Sequence, residues 1–161
     1  MKNLRVRIGV AILSLFLLLN SINFIGCSSS NLKEKAIEFY DVVSMSQSCL
    51  DEVADDIYEY WHDAIYNDYY NGNISLAVYY AQQANAANLA IIAENEPVIN
   101  SLYKELKNSQ YDELVKNIMT SYSEYYELVV NVSGSYNSYS ASKENLKKSL
   151  ASALKQLEFE L

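Results

Sequence analysis

The chain has 161 residues, with 12 lysines and arginines against 20 aspartates and glutamates, and a formal charge of −8 at pH 7. Three of the 12 basic residues, Lys2, Arg5 and Arg7, stand at its start and include both arginines; beyond them 9 lysines face 20 carboxylates, a body of charge −11. An acidic body without arginine lacks the positive patch that nucleic acids or an anionic membrane face require.

The basic start leads into the apolar run Ile8 to Leu19, which Asn20, Ser21 and Asn23 interrupt. A span needs about 20 apolar residues to cross a bilayer, so this profile suits an export signal better than an uncleaved anchor. Gly26 directly before Cys27, with Ser28, Ser29 and Ser30 behind it, resembles the lipobox of bacterial lipoproteins. The resemblance implies a diacylglyceryl group on the Cys27 sulfur and cleavage before it, although Phe24 and Ile25 depart from the usual residues. The expected organisation is a removed signal peptide over 1–26, a lipidated cysteine and tether over 27–31, and one domain over 32–161. With Cys27 lipidated, Cys49 is the one remaining thiol, and its expected role is a small buried hydrophobe.

Past the tether every segment reads helical, and Pro97, Gly72 and Gly134 punctuate it. The fold class expected is all-α: an antiparallel bundle of three to four long helices plus one short connecting helix. The first helix is expected from after Asn31 to about Tyr70. Leu32, Ala36, Phe39, Val43, Leu50, Val53, Ile57, Tyr60 and Ala64, with Ser46 in the gap, alternate four and three apart as a heptad seam. A bend is expected at Ser44–Ser48, and Asn71-Gly72-Asn73 as the stop. A second helix follows from about Ile74 to Asn95, and Pro97 begins the short connector to about Lys107. Ser109 is the expected N-cap of a fourth helix, Gln110 to about Asn131. Gly134 closes it, and a last helix starting between Ser135 and Ser142 carries Leu146, Leu150, Ala153 and Leu157. Long capped helices in one chain can satisfy each other, so a monomer is expected.

Catalytic and metal constellations are thin. Glu59 and His62 have the Glu-x-x-His spacing of di-iron bundles, but such a site needs two copies and His62 is the one histidine of the chain. The expectation is no metal, no cofactor and no catalytic residue. Asp51, Glu52, Asp55, Asp56, Glu59 and Asp63 read as a solvated acidic face. Asn67 to Asn73 lacks the leading carboxylates and closing glutamate of a calcium loop and reads as a turn.

Tyrosine is abundant, with 15 in the chain. Tyr58, Tyr60, Tyr66, Tyr69, Tyr70, Tyr79 and Tyr80 surround the first elbow, and Tyr122, Tyr125, Tyr126, Tyr136 and Tyr139 the second. An up-down bundle brings both elbows to one end, so Tyr66, Tyr69, Tyr70, Tyr136 and Tyr139 are the candidate partner-binding residues. Rings that simply fill the bundle are the competing explanation. Trp61-His62-Asp63-Ala64-Ile65-Tyr66, with Ser133-Gly134-Ser135 and Tyr139-Ser140, resembles a family of small Gram-positive lipoproteins. That family carries Trp-x-x-Ala-Ile-Tyr in a first long helix and Ser-Gly-Ser with an aromatic-Ser near the end. The resemblance implies a helical surface lipoprotein without an established activity. The function expected is a non-catalytic, lipid-anchored module on the extracytoplasmic face of a bacterial membrane, binding a protein or cell-envelope partner. The alternative is a small-ligand or metal-binding bundle.

Overall fold

The computed structural model describes residues 28–161. The expected signal peptide over 1–26 and the expected lipidation position Cys27 lie outside the described residues. The chain divides into Met1–Ser30 and a compact unit Asn31–Leu161. Among the described residues there are five α-helices, one 3-10 turn and no strand. No helix among them is long and apolar enough to cross a membrane.

Helix α1 spans Ser28–Tyr66. Its seam sets its place: Ala36, Phe39, Val43, Ser46, Leu50, Val53 and Ile57 are fully buried, and Ala64 nearly so. Val42, Cys49, Ala54 and Trp61 are buried beside them, which widens the stripe and makes α1 the helix the others cover. The helix is not interrupted at Ser44–Ser48. Ser46 and Ser48 donate their hydroxyls to the carbonyls four residues back, Val42 at 3.0 Å and Ser44 at 3.2 Å. Each hydroxyl is thereby satisfied inside the helix instead of competing with it. The stop comes four residues earlier than the expected Tyr70. Asp68, Tyr70, Asn71 and Gly72 all take positive φ, between 53° and 68°, and the 3-10 turn Tyr69–Gly72 replaces the last helical turn.

Helix α2, Ile74–Ala84, starts where the Asn73 side chain accepts from the Leu76 N–H at 3.1 Å. Helix α3 runs Ala86–Leu106, so the break expected before Pro97 falls at Asn85 instead. Asn85 is buried, and its amide donates to the Asp56 carboxylate at 2.6 Å and to the Ala81 carbonyl at 3.0 Å. A side chain bonded to its own helix and to α1 displaces the local backbone from regular geometry. Pro97 is carried inside α3, with no short connecting helix. Both Pro97 and Ala93, whose carbonyl loses its partner there, are exposed, so solvent can satisfy that carbonyl.

Helix α4, Asp112–Val130, opens on Asp112 and Glu113, whose charges favour the N-terminal end of the helix dipole. Ser109 shapes the preceding turn, accepting from the Tyr111 N–H at 3.1 Å. Helix α5, Tyr136–Glu158, begins with a capping box between Ser135 and Ser138. Gly134 before it has φ +88°, and an added Cβ would meet the Ser138 Oγ at 2.8 Å, so a larger residue would strain the cap.

The helices enclose one apolar core in which Phe39, Leu50, Ile57, Ile92, Ile99, Leu106, Ile118, Leu150 and Leu157 lose all contact with solvent or nearly so. Polar ties fix the register. Lys35 pairs with Glu105, Ser46 with Asn95, Glu52 with Asn88 and Asp56 with Asn85, so rising numbers in α1 meet falling numbers in α3. On its other side, Asp51 meets Lys147 at 3.2 Å, Asp55 meets Lys143, and the Ala54 carbonyl accepts from the Tyr139 hydroxyl at 3.4 Å.

These ties correct the reading of the acidic stripe as a solvated face. Asp51, Glu52, Asp55 and Asp56 cross-link α1 to the joint at Asn85, to α3 and to α5, and Asp51 also accepts from the Tyr125 hydroxyl at 2.7 Å. The expectation still holds in part, for Glu52 and Glu59 are exposed and the Asp55 side chain is 50 % exposed.

Three core tyrosines give the fold an alkaline limit. Burial pushes the Tyr122 phenol up to about 12. Tyr125 and Tyr139 are pushed further, by burial first, then by the bond to Asp51 for Tyr125 and by the Asp55 charge for Tyr139. A phenol whose folded value lies above its unfolded one contributes stability that is complete below about pH 10 and lost as pH rises toward the folded value. For Tyr122 alone that is about 3 kcal/mol. The melting temperature is therefore expected to hold up to about pH 9.5 and fall steeply between about pH 10 and 12; helical circular dichroism during thermal melts at stepped pH measures it.

Candidate functional site

The second elbow, residues 131–135, lies beside the start of α2 and Trp61 near the C-terminal end of α1. Ile74, Ser75, Val78 and Gln82 from the start of α2 face Val130 to Gly134 across a cleft of about 480 Å³, with Trp61 of α1 in its wall. The Gln82 amide donates to the Val129 carbonyl at 3.0 Å, which ties α2 to the end of α4. No charged residue lines the cleft.

Around it lies a connected set of aromatic rings. Tyr58 stacks on Tyr136 with centroids 4.8 Å apart, and Trp61 meets Tyr136 and Tyr139 at 6.2 and 5.6 Å. His62 lies 4.7 Å from the Tyr66 ring, and Tyr66 meets Tyr136 edge-on at 6.1 Å. A second set joins Tyr60, Tyr70 and Tyr80 in near-parallel contacts, with Tyr69 and Tyr79 edge-on to its members. Such rings offer apolar area with a polar tip and little side-chain entropy to lose on binding.

The candidate tyrosines divide by burial. Tyr66 and Tyr69 are the most exposed, at 63 % and 59 %, and Tyr79 and Tyr80 follow at 53 % and 47 %. Tyr70 and Tyr136 are half-buried. Tyr139 is 1 % exposed and belongs to the core, so it is not an accessible contact residue. Stepping back from Leu157, Ala153, Leu150 and Leu146 by alternating three and four residues reaches Lys143 and then Tyr139, so the seam of α5 already marks both as buried. The same holds on α4, where Tyr122 and Tyr125 are buried with Ile118 and Val129. For these rings the filling explanation is the right one. Tyr79 and Tyr80, absent from the candidates, are exposed because the face of Ala77 and Ala81 turns the opposite side of α2 outward.

His62 stands 3.6 Å from Asp63, and both side chains are over a third exposed. Among the described residues, no three His, Cys, Asp or Glu side chains gather into a group that could hold a metal. Cys49 is a free, buried thiol whose pKa is raised by burial and then by Glu52, which disfavours the thiolate. Comparison of the chain with protein-family models, curated proteins and solved structures gives no match in any of the three.

Proposed function

We propose that the chain is a non-catalytic, lipid-anchored module on the extracytoplasmic face of a bacterial membrane, and that its tyrosine-rich end binds a protein or cell-envelope partner. One observation carries this reading: four large aromatic side chains, Tyr66, Tyr69, Tyr79 and Tyr80, stand about half exposed or more at one end, around an uncharged cleft. Exposed aromatic clusters of this kind mark interaction surfaces. The helices are read as an antiparallel up-down bundle, with α1 leading away from the anchor, α2 and α3 returning, α4 rising and α5 returning. From Asn31 to Tyr66 α1 covers about 54 Å at 1.5 Å per residue. On that reading the aromatic end is presented outward and the anchor is four residues before Asn31. The cleft favours a second reading as a small-ligand site, which a retained molecule in native mass spectrometry of the purified protein would support.

Two experiments test the proposal. Replacing Cys27 with Ala is expected to abolish labelling by a fatty-acid analogue and lipoprotein-type processing, whereas unchanged labelling and size would contradict the anchor. Replacing Tyr66 and Tyr69 together with Ala is expected to leave the helical spectrum unchanged. It should weaken capture of the envelope partner by about thirtyfold, as truncating an aromatic hot spot does. Capture at full strength would remove the aromatic end as the binding face.

A further inference from the structure

The cleft between the start of α2 and the second elbow is lined by uncharged groups whose hydrogen-bonding capacity is largely unused. Trp61 in its wall is 6 % exposed, and among the described residues its indole N–H has no acceptor. The Ser75 and Ser133 hydroxyls are likewise without partners among the described residues. Val132, Ser133 and Gly134 donate to no carbonyl among them either, so three successive backbone N–H groups border the cleft as free donors. The Gln82 and Asn131 amides each use one N–H on the end of α4, on the Val129 carbonyl at 3.0 Å and the Glu127 carboxylate at 2.8 Å. Each keeps its amide oxygen as an acceptor. Tyr79 is 53 % exposed; it meets Tyr80 at 63° and no ring stacks parallel against it. Ile74, Val78 and Val132 supply the apolar part of the wall.

These groups decide the class of ligand. A carboxylate or phosphate finds no cation in the cleft and is repelled by a body of 9 lysines and 20 carboxylates. An ammonium finds no carboxylate there to replace its hydration shell. A purely apolar ligand would strip water from the free donors and acceptors and put nothing in its place. A peptide strand needs an extended edge to pair with, and Gly134 at φ +88° turns the elbow out of that geometry. Sugar hydroxyls both donate and accept, which suits a wall of mixed, uncharged partners. The C–H face of a sugar ring presents hydrogens of positive partial charge, and these pack on the negative face of an aromatic ring such as Tyr79. An acetamido group adds an N–H for the amide oxygens, a carbonyl for the free N–H groups and a methyl for the apolar wall. The volume of about 480 Å³ lies in the range of small-molecule sites.

We propose that this cleft binds a neutral N-acetylated amino sugar. This deepens, and rests on, the reading of the aromatic end as the face that binds an envelope partner. The test is calorimetric titration of the full chain with N,N′-diacetylchitobiose and with cellobiose, which has the same rings but no acetamido groups. Diacetylchitobiose is expected to bind saturably and at least about tenfold tighter, because without the acetamido groups the cleft's N–H groups and amide oxygens lose partners. Saturation-transfer NMR should place the strongest signal on its acetyl methyls. Tyr79→Ala, at an exposed position, should weaken it by about tenfold, and Tyr79→Phe should stay within about threefold, because the ring face makes the contact. Chitin beads separate the two sources of this chemistry: retention released by diacetylchitobiose identifies a glycan polymer, and binding of the soluble sugar alone identifies a free saccharide. Equal affinity for cellobiose, no saturable binding, full affinity in Tyr79→Ala, or tighter binding of a neutral acetylated dipeptide amide would overturn the proposal. If the envelope partner is still captured in a Tyr66- and Tyr69-dependent way while the sugar neither binds nor competes, the saccharide assignment fails and the partner-binding reading stands.

Discussion

Leu50→Asp should abolish cooperative folding at 37 °C. Leu50 is fully buried at the middle of the α1 seam. The substitution removes a side chain from the core and places an unpaired carboxylate where no water reaches it. Burying such a group belongs to the short list of changes that cost about 4 kcal/mol or more, a large share of the stability of a domain this size. Leu50→Met, which keeps volume and polarity, is expected to cost less than about 1.5 kcal/mol. Urea unfolding followed by circular dichroism gives both numbers. A Leu50→Asp protein that melts like the parent would show that α1 is not the central helix.

Asp51→Ala is the second large effect, and it separates a structural carboxylate from a solvated one. The Asp51 carboxylate accepts from the Tyr125 hydroxyl at 2.7 Å and pairs with Lys147 at 3.2 Å. Its removal leaves the hydroxyl of a fully buried tyrosine without that acceptor and an ammonium without its nearest counter-charge. Losing one partner of a buried charged hydrogen bond costs about 2–4 kcal/mol. Glu59→Ala, on the exposed end of the same stripe, is expected to change stability by no more than about 0.5 kcal/mol. A Tyr125→Phe partner variant completes a double-mutant cycle, in which a coupling above about 1 kcal/mol identifies the Asp51–Tyr125 bond as the cause. Equal, small effects of Asp51→Ala and Glu59→Ala would restore the solvated reading of the stripe.

How much was legible in the sequence depends on whether the deciding partner was local. The α1 seam was legible because its period lies within one helix, and the buried residues follow it from Ala36 to Ile57 and again at Ala64, with Tyr60 only half-buried. Gly134 marked a break for the same reason, but the start of α5 was open between Ser135 and Ser142 until the Ser135–Ser138 capping box fixed it. Asn85 was not legible: its break depends on Asp56, 29 residues upstream, and an asparagine inside an alanine-rich helix gives no local sign of that bond. Pro97 misled because the rule for proline in the first helical turn says nothing of a neighbour already held in a helix by tertiary packing. The acidic stripe misled in the same way, because Lys143 and Lys147 reach it from about 90 residues further along the chain. The tyrosines were only half legible. Clustering at two elbows could be counted, but the seam of α5 had to be extended back to assign Tyr139 to the core. The cleft residues Ser75 and Gln82 carried no signal of their own, and Ser133 entered only through the family resemblance.

Placing a photo-crosslinking amino acid at position 69 in living cells tests the account most directly, with position 98 on the outer face of α3 as the comparison, since Val98 is also exposed and lies away from the aromatic end. The account predicts a discrete adduct from position 69, competed away by unlabelled protein but far less effectively by the Tyr66→Ala, Tyr69→Ala protein, with nothing comparable from position 98. Adducts of equal yield at both positions, or from position 98 alone, would contradict it.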